Sequence, residues 1–120
     1  MELDWYKIEP YTKKETEKAP DKNGIYALCT MQDNGEYKVR YVGQGNIRER
    51  LLCHLSDDDP NKELREHTKK YKMKASYAVV PDPYNRNAIE LFLYNTFNPR
   101  YNKVQPPCNA PLKVNLFNLR

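Results

Sequence analysis

The chain has 120 residues, of which 39% are hydrophobic and 30% charged, with a formal net charge of +4. That length and mixture allow one compact domain with one modest core, and they exclude a disordered, fibrous or multi-core chain. Its three cysteines, Cys29, Cys53 and Cys108, are odd in number and lack CxxC spacing, which argues against both a disulfide scaffold and a zinc site.

Residues 1–19 are polar and weakly patterned, and they read as an N-terminal arm in which Trp5, Tyr6, Ile8 and Tyr11 could pack on the domain. Lys13 to Lys18 reads as a short exposed helix or a loop, and Ala19 to Gly24 as a turn. Ile25 to Thr30 has the composition of a buried strand. Asp33-Asn34-Gly35 is a hairpin turn signal, and Tyr37 to Val42 returns as a second strand that Gly43-Gln44-Gly45 should break. Asn46 with Glu49 opens a helix as a capping-box variant, and Ile47, Leu51, Leu52 and Leu55 give it an apolar stripe. Asp59-Pro60 resembles a cap followed by proline at the first helical position, which predicts a charged helix over about residues 60–71. Residues 74–80 read as a third strand, and Asp82-Pro83 repeats the cap signal before a helix with Ile89, Phe92, Leu93, Thr96 and Phe97 on one face. Pro99 stops that helix. The expected fold is α/β, with a small, mainly antiparallel three-stranded sheet flanked by helices. Residues 20–103 would form the domain, with a C-terminal tail, 104–120, packed on it or extending from it.

Charge is unevenly distributed. Residues 1–60 carry 9 Lys/Arg against 12 Asp/Glu, and residues 61–120 carry 11 against 4. A basic half suggests an anionic partner such as nucleic acid, although a solvated basic face would look the same. Lys69, Lys70, Lys72, Lys74 and Arg100 are candidate phosphate contacts. His67 fits no pattern and reads as a surface residue. No apolar stretch is long enough to span a membrane and no signal-peptide pattern opens the chain, so free thiols and a cytoplasmic location are expected.

Gly24-Ile25-Tyr26 on the first predicted strand and Tyr41-Val42-Gly43 on the second resemble the two halves of the GIY-YIG nuclease signature. Arg50 and His54 follow, four apart on one helical face, then Glu90 on a later helix and Asn102 within Asn98-Pro99-Arg100-Tyr101-Asn102. The resemblance covers roughly residues 20–103. It implies a metal-dependent endonuclease acting on nucleic acid, DNA in the first instance, with one Mg²⁺ or Mn²⁺ per site. It further implies Tyr26 as base for the attacking water, Tyr41 orienting water or phosphate, Arg50 on the phosphate, His54 relaying a proton, Glu90 as the metal ligand, and Asn102 holding Glu90 or the local backbone. A free tyrosine is a poor base at neutral pH, so nearby cations (Arg50, Arg40 or the metal) would have to lower its pKa.

Two departures stand out. Gln44 occupies a position where many members have lysine, and the segment before the helix is about one residue short, which leaves Arg48 as a substitute for Arg50. No added reader domain fits in the remaining residues, so target choice would come from a separate recognition partner, a homodimer or nucleic-acid shape. A catalytically silent nucleic-acid-binding module on the same fold is the alternative.

Overall fold

The computed structural model describes all residues, 1–120. The elements in chain order are β1 (Tyr6–Ile8), α1 (Lys13–Thr16), β2 (Asn23–Met31), β3 (Tyr37–Asn46), α2 (Ile47–Leu55), α3 (Lys62–Lys70), β4 (Met73–Val79) and α4 (Pro83–Phe97). The strands form one sheet in the order β1-β4-β2-β3, with every neighbouring pair antiparallel. The fold is therefore α/β as expected, but the sheet has four strands rather than three. The extra strand comes from the N-terminal arm, where Tyr6 pairs with Tyr77 and Ile8 with Ala75. Only Ile8 of its three residues is buried, so the segment carries no alternation that a sequence pattern could reveal.

Strand β2 is covered on both faces, which explains its unbroken burial from Gly24 to Thr30. Its alternate residues feed two cores, one on each face of the sheet, rather than the single core that the chain length suggested. Tyr26 and Leu28 pack with Ile47 and Leu51 of α2, Leu64 of α3, Tyr11 and Tyr101. Ile25, Ala27 and Cys29 pack on the opposite face with Ile89 and Leu93 of α4, Val114 and Phe117. Residues 1–19 and 104–120 are thus parts of the packed body. They also meet each other: Leu3 N donates to Asn115 Oδ1, Asn115 Nδ2 donates to Leu3 O, and the Trp5 indole donates to Asn115 O.

Strand β3 continues to Asn46 rather than breaking at Gly43-Gln44-Gly45, because those residues pair with Tyr26, Ile25 and Gly24 of β2. A register shift between Leu28 and Cys29 leaves Arg40 as the extra residue of a β-bulge, with Tyr41 opposite Leu28 and Val39 opposite Cys29. The caps follow the sequence signals in two of three cases. Asn46 Oδ1 accepts from Glu49 N at 3.0 Å to start α2, and Asp82 caps α4 with Pro83 in its first turn. At α3 the cap is Asn61, not Asp59, and the helix starts at Lys62. Helix α4 ends at Asn98, whose φ of 45° is left-handed. No helix is long and apolar enough to cross a membrane.

Candidate functional site

The site forms where β2, β3 and α2 converge. Tyr26 projects from the central strand and is fully buried. Its hydroxyl lies 2.7 Å from His54 Nε2. The other ring nitrogen, Nδ1, lies 3.0 Å from Asp59 Oδ2, and both His54 and Asp59 are buried. A carboxylate only accepts, so Nδ1 carries the proton and donates it to Asp59. Nε2 is then left as the acceptor for the Tyr26 hydroxyl. The result is a directed chain, Tyr26 to His54 to Asp59. Burial lowers the His54 pKa, partly offset by Asp59, so the neutral imidazole this chain requires is the favoured form.

The approach of Tyr26 to β3 requires glycine at position 43. A Cβ built there would lie 2.4 Å from the Tyr26 hydroxyl oxygen, inside any real contact distance. Two residues on, Gly45 has φ +131°, a conformation that L side chains rarely adopt, and its open side faces the Arg50 side chain. Tyr41 stacks on Tyr26 with ring centroids 6.3 Å apart and meets the His54 ring edge-on at 4.8 Å. It is only partly buried, so of the two tyrosines it alone reaches solvent.

Arg50 lies against both phenol groups, and its charge opposes the rise in their pKa values. It does not win. Burial dominates and pushes Tyr26 and Tyr41 up, with Glu90 adding to the rise. Of the cations named from the sequence, Arg50 does act to lower the Tyr26 pKa, but desolvation outweighs it. The acceptor that the Tyr26 hydroxyl meets is His54 Nε2.

Glu90 enters from α4, close enough for its charge to bear on both tyrosines. Burial raises its pKa to about 7, with Gln44 pulling the other way. Gln44 itself is held by α4, donating to Asn87 Oδ1 and accepting from Arg86 Nε at 3.1 Å. No group of three or more His, Cys, Asp or Glu side chains is arranged so that it could hold a metal ion. A desolvated single carboxylate suits a hard divalent cation that keeps its waters and takes phosphate oxygens from a substrate, and it does not suit a protein-caged ion. The hydrogen bonds of the Asn102 side chain go not to Glu90 but to the backbone of Val42, accepting from Val42 N at 2.9 Å and donating to Val42 O at 2.8 Å. This fixes β3 between Tyr41 and Gly43.

Other sequence expectations are redistributed. Arg48 points away and donates to Ala19 O at 3.0 Å, so Arg50 alone faces the tyrosines. Lys74, expected at a phosphate, is buried; its ammonium donates to Asn118 O and lies 4.4 Å from the Tyr37 ring centroid. The alternation of β4 turns it inward, under the C-terminal tail. Lys69 pairs with Asp57, and Lys70, Lys72 and Arg100 remain exposed. His67 is not a surface residue: it is buried and shares hydrogen bonds with Thr30 Oγ1 and the Tyr101 hydroxyl.

Asp59 was missed altogether as a site residue. Its Oδ1 also accepts from Asn61 N at 3.1 Å, so it ties the turn before α3 to the site. Its only signal in sequence is a place five residues after His54, and it is one of three successive aspartates. No family model matches the chain, and no curated protein or solved structure does either.

Proposed function

We propose that the chain is a divalent-metal-dependent endonuclease of the GIY-YIG kind, hydrolysing phosphodiester bonds in nucleic acid, DNA in the first instance. The observation that supports it most is the hydrogen bond of Tyr26 to a neutral, Asp59-oriented His54, with Arg50 and Glu90 on the same pair of tyrosines. Hydrolysis needs a water deprotonated as it attacks and a clamp on the charge that develops at phosphorus. In this reading a water gives its proton to the Tyr26 oxygen while the Tyr26 proton passes to His54 Nε2, so no free tyrosinate forms. The water oxygen bonds to phosphorus, the bond to the leaving oxygen breaks, and that oxygen is protonated from solvent. Arg50 holds the non-bridging oxygens with its planar fork. Glu90 would hold the cation, which when bound neutralises phosphate charge.

The complete burial of Tyr26 favours a second assignment within this reading, with partly exposed Tyr41 as the hydroxyl that meets the water. Incubating plasmid with the protein in Mg²⁺, then in EDTA, tests the activity. Nicking is expected only with the metal and is lost in Glu90→Gln. The tyrosines are separated by Tyr26→Phe and Tyr41→Phe: the base assignment expects the first to lose about two to four decades of rate. A silent Tyr26→Phe with a dead Tyr41→Phe transfers the role to Tyr41. The competing function is a silent nucleic-acid-binding module. It is favoured by the affinity of Glu90 for a proton near neutrality and by Gln44 being held by α4. Binding without nicking at any pH from 6 to 9 would decide for it.

A further inference from the structure

A groove of about 760 Å³ opens between the β2–β3 turn, α3 and the segment after α4. Its floor is polar: His67 lies between Thr30 and Tyr101. Arg40, Lys70 and Arg100 line it, and none of the three forms an ion pair. Arg40 is the bulge residue, and its Nε is buried without a hydrogen-bond partner, a costly state for a charged group. Three exposed carboxylates, Asp33, Glu63 and Glu66, also line the groove, and Glu63 is held by Lys103. Burial first, then Arg40, Arg100 and Lys70, lowers the His67 pKa to about 4.

The groove adjoins the Tyr26 site. Arg40 precedes Tyr41 on β3, and its carbonyl accepts from Tyr101 N, next to the Asn102 clamp. Thr30 lies four residues along β2 from Tyr26, on the same face and about 13 Å away at strand rise.

We propose that this groove is a second subsite that binds a backbone phosphate of a nucleic-acid strand beyond the one held at Arg50. Arg40 supplies the inner contact, and Lys70 and Arg100 the outer ones. Exposed Tyr71, beside Lys70, gives the adjoining base a face to stack on. The proposal rests on nucleic acid being the partner of the neighbouring site.

The test uses the full chain and a fluorescein-labelled twelve-nucleotide oligothymidylate in EDTA, read by fluorescence anisotropy at several salt concentrations. Lys70→Gln/Arg100→Gln alters only exposed side chains and should keep the wild-type melting temperature. It should bind at least ten-fold more weakly, with the slope of log K against log salt reduced by about 1.4, or 0.7 for each lost contact to a single strand. Arg40→Gln should weaken binding further. Unchanged affinity and slope in the double variant overturns the subsite, as does a wild-type protein that does not bind the probe. Inorganic phosphate is the competing arm: displacement of the probe at equal phosphate concentration would mark a free-anion site and also overturn the proposal. Plasmid cleavage in Mg²⁺ is scored separately. Cleavage with an unaffected double variant removes the groove alone. Weakened probe binding without any cleavage removes the nuclease reading and leaves the groove.

Discussion

Asp59 uses both carboxylate oxygens, one on His54 Nδ1 and the other on Asn61 N. Asp59→Asn therefore has a defined outcome. The Asn61 amide still needs an acceptor, so the new side-chain oxygen goes there and the new NH₂ faces His54 Nδ1. The imidazole must then carry its proton on Nε2 and can no longer accept from Tyr26. Cleavage should fall by about two decades or more through kcat, with KM little changed. Nitrogen chemical shifts of His54 should show the tautomer reversed; an unreversed tautomer would reduce Asp59 to a turn residue.

In the proposed reaction Glu90 sets the pH dependence. Its folded pKa, about 7, lies above its ordinary value of 4.5. The folded state therefore binds more protons than the unfolded state between those values, and the stability Glu90 contributes in acid is lost as pH rises through 7. Metal-supported cleavage should rise over the same range, because only the carboxylate binds a cation. Glu90→Gln should be more stable than wild type at pH 8.5 but not at pH 4, by about 1–3 kcal/mol in urea denaturation. Equal stabilities at both pH values would mean the carboxyl group is not desolvated. Asp59 was not legible in the sequence because three successive aspartates offer one contact, and only the course of the turn decides which makes it.

At the scale of elements, helix α2 carries a choice that sequence left open. Arg48 and Arg50 lie about 200° apart around the axis. The structure gives Arg48 to the Ala19 carbonyl and Arg50 to the tyrosines. Arg50→Ala should cost several kcal/mol of transition-state stabilisation, and Arg48→Ala at most a modest factor together with a small loss of stability. Single-turnover cleavage with metal in excess compares them, and a dead Arg48→Ala would reverse the assignment.

The hairpin, the caps of α2 and α4 and the Arg50–His54 face were readable because each rests on local spacing or a turn residue. The fourth strand and the inward turns of His67 and Lys74 were not. Each depends on what lies across from it: β4 for the arm, Thr30 and Tyr101 for His67, and the tail for Lys74. The cap shift from Asp59 to Asn61 is settled in the turn itself: Asp59 Oδ1 accepts from Asn61 N, and Asn61 Oδ1 accepts from Leu64 N to start the helix two residues later.

Across the whole molecule, the tail is what closes the second core. It has no regular structure, yet Val114 and Phe117 are buried, and Phe117 meets Trp5 edge-on at 4.9 Å. Phe117→Ala should cost about 3–5 kcal/mol, the usual range for a buried aromatic. For a domain of this size that is a fall in Tm of at least 10 °C by calorimetry. A fall of 2 °C or less would show that the tail adds little to the core. Because Asn115 also fastens Leu3, the variant should loosen the N-terminal segment too, visible as faster amide exchange at Leu3.

Strand β3 is an outer edge of the sheet, and it passes directly over the Tyr26 hydroxyl at Gly43, where there is no side chain. In the proposed reaction, position and proton transfer are therefore mechanically linked. A sideways slip of this edge by a few tenths of an ångström lengthens or compresses the Tyr26–His54 contact, with no polar group altered. The Asn102 clamp then acts as a set-screw on the proton path. Whatever displaced Asn102 from Val42 would turn that screw from outside, making the sheet margin a lever on the chemistry proposed beneath it.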